Sequence, residues 1–75
     1  MTEEVAFIGG GNMAYALATG LLGTESPPSI IVADPISSQL ERFAGSDVRT
    51  TADNREAVTG ADVIILAVKP QIIRS

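Results

Sequence analysis

Residues 5–14 read VAFIGGGNMA, a run of β-branched and aromatic side chains that passes directly into three glycines and then into a helix-forming segment. A strand that empties into a glycine turn and a helix is how a dinucleotide pyrophosphate site begins. Set on the template G-x-G-x-x-G/A, the matching positions are Gly9, Gly11 and Ala14. Gly9 permits the tight turn out of the strand, Gly11 has no Cβ and lets the backbone approach a pyrophosphate, and Ala14 keeps the helix close to the strand. The phosphates then sit on the free N–H groups of the helix N-terminus, where the helix dipole also favours negative charge.

On the near side of the glycines, residues 4–8 are predicted as a short buried strand. On the far side a helix is predicted over residues 12–22, with Met13, Ala16, Leu17, Gly20 and Leu21 as its apolar stripe. Gly20 in that reading allows close approach to the sheet, and Gly23 ends the helix. Pro27 and Pro28 mark a polar turn, since neither a helix nor a central strand accepts them. Residues 30–33 form a second apolar strand closed by Asp34 and Pro35. A helix over residues 37–44 follows, burying Leu40, Phe43 and Ala44 and stopping at Gly45. Residues 48–50 are a brief third strand, and Asp53 or Asn54 caps a short helix running to Val58. The run VIILAV after Asp62 suits a strand covered on both faces. Strand and helix thus alternate throughout, which predicts an α/β fold: a Rossmann-type parallel sheet with helices on both faces, the first half of a doubly wound dinucleotide-binding domain.

Composition narrows the chemistry. A chain of 75 residues with 45% hydrophobic content makes one small domain, burying only about 60% of its unfolded surface. A net charge of −4 offers no basic face for nucleic acid or an anionic membrane. There is no cysteine and no histidine, so thiol nucleophiles, imidazole bases, disulfides and the usual zinc sites are all excluded. Chemistry must come from a cofactor or from residues outside this chain. The first residues carry glutamates rather than a basic targeting segment, and the apolar runs are far shorter than the roughly 20 residues that cross a bilayer. A cytoplasmic protein is expected.

Asp34, at the tip of the second strand, stands where an acidic residue follows the glycine turn by 20 to 25 positions in nucleotide-binding units. Either it accepts hydrogen bonds from an adenosine ribose, favouring NAD and repelling a 2′-phosphate, or it is a turn residue before Pro35. Asn12 either bonds cofactor phosphate or caps the helix. Arg42 either reaches a 2′-phosphate or lies on the solvent face of its helix, and Tyr15 reads as a packing residue. The segment AVKPQ, residues 67–71, closes the last strand on the edge where α/β sheets bind ligands, so Ala67, Val68 and Lys69 are candidates to line the ribose and nicotinamide side.

FIGGGNMA at residues 7–14 and ILAVKPQ at residues 65–71 together resemble the pyrroline-5-carboxylate reductases, which open on FIGxGNMA and carry a strand ending in AVKPQ. The resemblance covers nearly all 75 residues. It implies NADPH- or NADH-dependent reduction of 1-pyrroline-5-carboxylate to L-proline, with cofactor roles for Gly9, Gly11, Asn12, Met13, Asp34, Ala67, Val68 and Lys69, and no metal. Many relatives favour NADPH, a preference that Asp34 puts in question. It also implies a C-terminal helical domain for substrate binding and dimerisation that this chain lacks, so residues 1–75 read as an N-terminal fragment, inactive alone, of a homo-oligomeric enzyme. Such a fragment is expected to associate through an exposed sheet edge. The alternatives are a hydroxyacid-type dehydrogenase and a non-catalytic NAD(P)-binding module.

Overall fold

The computed structural model describes residues 3–67. Strand β1 spans Glu4–Ile8, and its Val5, Ala6 and Phe7 are buried. Two parallel neighbours account for that burial. β2, Ser29–Ala33, lies on one side and β4, Val63–Leu66, on the other, so that Phe7 stands opposite both Val32 and Ile65. β3, Arg49–Thr51, pairs parallel beyond β2, and the sheet order is β3-β2-β1-β4. Helix α1, Asn12–Leu22, joins β1 to β2; α2, Ser37–Leu40, runs into a 3₁₀ turn, Glu41–Phe43, before β3; α3, Asn54–Thr59, leads back to β4. This is the expected Rossmann-type arrangement.

Because side chains alternate along a strand, the sheet builds two cores. Val5, Phe7, Ile30, Val32 and Ala67 meet Ala14 and Ala18 of α1, together with Phe43 and Val48. Ala6, Ile31 and Ala33 point the other way and meet Ala57 of α3. Phe7, Ile30 and Val32 are the largest fully buried side chains, each stabilising the fold by about 1.5–3 kcal/mol through burial. The cap of α3 is Asp53, whose carboxylate accepts the Arg55 N–H at 2.9 Å.

Four sequence expectations are corrected. The buried face of α1 is Ala14 and Ala18, with Leu21 and Leu22 packed beside them, whereas Met13 and Leu17 are 53% and 44% exposed. Close approach to the sheet is provided by the alanines and not by Gly20, where an added Cβ would meet nothing within 4 Å. The segment after Pro35 is not one helix: it tightens into the 3₁₀ turn, burying Phe43 and leaving Ala44 exposed. β4 is not covered on both faces. Val63, Ile64 and Leu66 are 40%, 50% and 69% exposed because β4 is the edge of the described sheet, and only Ile65 and Ala67 reach the core.

Candidate functional site

At the end of β1 the chain reverses through Gly9, whose φ of 108° lies in the region that favours glycine. The turn is fastened to both flanking strands. Gly9 N–H donates to the Ala33 carbonyl of β2 at 2.7 Å, and Ala67 N–H donates to the Ile8 carbonyl at 2.8 Å from the β4 side. Gly10 lies flat against the end of β2, where a Cβ would stand 3.3 Å from Val32 Cγ1 and 3.4 Å from the Gln39 Cβ. Its N–H donates to Asp34 Oδ2 at 2.8 Å.

Gly11 differs from both. It has an extended backbone any residue adopts, and a Cβ there would meet none of the described residues within 4 Å. It is also the N-cap of α1, with no side chain bonded to the helix end and no acidic residue in the first turn. Tyr15 N–H is the first to find a carbonyl, that of Gly11 at 3.0 Å; among the described residues the N–H groups of Gly11, Asn12, Met13 and Ala14 have no partner. Unsatisfied donors at the positive end of a helix, beside a cleared approach, are what a phosphate requires.

Asn12 does not cap the helix; its Oδ1 accepts a hydrogen bond from Arg42 on the 3₁₀ turn. That contact brings a guanidinium beside the first turn of α1. Met13 contributes its backbone, its side chain being exposed. Tyr15 packs on Phe43, the ring centroids 5.6 Å apart. Asp34 is half-buried, and each of its oxygens accepts a backbone N–H at 2.8 Å, from Gly10 and from Ile36. Gln39 carries a buried side-chain oxygen with no partner among the described residues. Gly9, Gly11, Asn12, Met13, Asp34 and Ala67 thus gather at one sheet edge, while Val68 and Lys69 lie outside the described residues.

Gly10 was not singled out in the sequence, and Arg42, expected at a 2′-phosphate or on the solvent face, makes a contact with Asn12 that the sequence does not name. Gly10 fills a variable position of the glycine template, yet its packing leaves little room for a side chain; the unbroken triple glycine was the available signal. Arg42 reaches Asn12 because the 3₁₀ turn, with about three residues per turn, changes its phase from that of a continued α-helix.

The family model described as NADP oxidoreductase, coenzyme F420-dependent, matches residues 4–75. The chain belongs to that family. Among curated proteins, the pyrroline-5-carboxylate reductase of Haemophilus influenzae is 47% identical over 70 residues, covering 92% of this chain and 26% of its own length. Pyrroline-5-carboxylate reductase 3 of Danio rerio is 43% identical, over 93% of this chain and 25% of its own. The Pseudomonas aeruginosa reductase is 42% identical, over 99% and 28%. The chain therefore spans about a quarter of the length of these relatives. No solved structure matches it. The family's cofactor suits the residues present: among the described residues the N–H groups at the start of α1 have no partner and the approach at Gly11 is open, which is what a pyrophosphate requires.

Proposed function

We propose that this chain is the NAD(P)H-binding part of a pyrroline-5-carboxylate reductase, an enzyme that reduces 1-pyrroline-5-carboxylate to L-proline. The observation that carries the cofactor half is the row of N–H groups from Gly11 to Ala14, without partners among the described residues and with none of those residues closing the approach at Gly11, at the carboxyl edge of a parallel sheet. The substrate half is supported by relatives of that name matching the chain almost end to end at 42–47% identity. When bound, the reduced nicotinamide supplies a hydride to the imine carbon of the substrate.

The chain's own residues bind and orient. The α1 N-terminus takes the pyrophosphate, Arg42 adds a positive charge held by Asn12, and the β2 end with Asp34 faces the adenosine side. The backbone of Ala67, with Val68 and Lys69 assigned on the family pattern, lines the nicotinamide side. The proposal includes a further domain, a homo-oligomer and a cytoplasmic location for the whole enzyme, with the substrate contacts outside residues 1–75. Titration with NADPH and NADH, followed by nicotinamide fluorescence, is expected to saturate. Adding pyrroline-5-carboxylate to the 75-residue chain alone is expected to leave nicotinamide absorbance unchanged. A chain that binds neither cofactor overturns the cofactor half; one that turns over alone overturns the placement of the substrate contacts.

A further inference from the structure

We propose that Asp34 is the positioning residue of the glycine turn and that it does not select between NADH and NADPH. The proposal rests on the reading of that turn as a dinucleotide site. Asp34 is tied at three points. Its Oδ2 accepts the Gly10 N–H at 2.8 Å across 24 residues of sequence, its Oδ1 accepts the Ile36 N–H at 2.8 Å, and its own N–H donates to the Thr51 carbonyl of β3 at 3.1 Å. The carboxylate therefore ties the glycine turn after β1 to the segment after β2, the link to β3 being made by the main chain, and both of its oxygens already accept a backbone N–H.

The link to Gly10 matters most, because Gly10 is the residue between the reversal at Gly9 and the N-cap at Gly11. Fixing its peptide fixes the direction in which the N–H groups of Gly11, Asn12 and Met13 point. Those groups meet the pyrophosphate, which NADH and NADPH share. A 2′-phosphate discriminator acts on one cofactor; a residue that aims the pyrophosphate donors acts on both equally.

The test uses Asp34→Ser and Asp34→Asn in the intact protein. Serine can still accept the Ile36 N–H two residues on, as a turn-forming hydroxyl does, but is too short for Gly10; asparagine keeps the shape, removes the charge and can accept only one of the two N–H groups. Dissociation constants for NADH and NADPH are measured by titration, with the melting temperature of the free protein and hydrogen exchange at the Gly10 amide alongside. In Asp34→Ser both constants are expected to rise together, by about three- to tenfold for one lost hydrogen bond. The NADPH-to-NADH ratio is expected to stay within about twofold in both variants, and Gly10 exchange to quicken in Asp34→Ser. A ratio that moves about tenfold toward NADPH in either variant identifies a discriminator and overturns the proposal. A lower melting temperature with both constants unchanged overturns it too, marking the carboxylate as merely structural. If the unaltered protein binds neither cofactor, the reading of the site itself fails, a result distinguishable from either outcome above.

Discussion

Gly9 and Gly11 serve different ends although both match the same template. Gly9 is distinguished by its backbone, at φ 108°, and Gly11 by the space beside it, where none of the described residues lies within 4 Å of an added Cβ. Gly9→Ala is therefore expected to cost about 1–3 kcal/mol of stability through backbone strain, read as a fall in melting temperature. Gly11→Ala is expected to lose no more than about 1 kcal/mol as a poorer cap, yet to weaken NADPH and NADH by at least about tenfold because its methyl group occupies the phosphate approach. Equal losses of stability in the two variants would contradict this division. The glycine positions were legible because a strand, a turn and a helix follow one another without a gap. The hydrogen bonds of Asp34 and the reach of Arg42 were not legible, since both depend on how β2 and the 3₁₀ turn lie against the glycines across 24 and 30 residues of sequence.

Helix α1 shows at the element scale what periodicity resolves and what it leaves open. Its bounds at Asn12 and Leu22 follow from the glycines on either side. Its orientation does not, because NMAYALATGLL is apolar almost all round and several stripes satisfy helical spacing. Close contact with the sheet beside the glycine turn selects the smallest side chains, Ala14 and Ala18, and turns the bulkier Met13 and Leu17 outward. Ala18→Leu is accordingly expected to destabilise by about 1–3 kcal/mol through overpacking, while Leu17→Ala is expected to change stability by no more than about 1 kcal/mol. Denaturant midpoints at constant slope would read both. The same competition explains β4: its continuous apolar run reads as a doubly covered strand, but only its position in the sheet decides what lies over it.

Among the described residues β4 exposes large apolar side chains on both faces, Ile64 and Leu66 on one and Val63 on the other. As the edge of the described sheet, this apolar strand is a ready template for pairing with another copy. Light scattering is expected to show dimers or larger species at millimolar concentration, and Leu66→Lys to shift them toward monomer. A monomer throughout that range would refute edge pairing. The sheet order also governs how the molecule comes into being. β1 is made first but sits in the middle, and its second neighbour arrives only when β4 is made; the Glu4 N–H to Asp62 hydrogen bond at the start of that pairing spans 58 residues. Contacts so distant in sequence are slow to form. During synthesis the glycine turn therefore leaves the ribosome early, and the Ala67 N–H that fastens it from the β4 side follows only when nearly the whole described chain has been made.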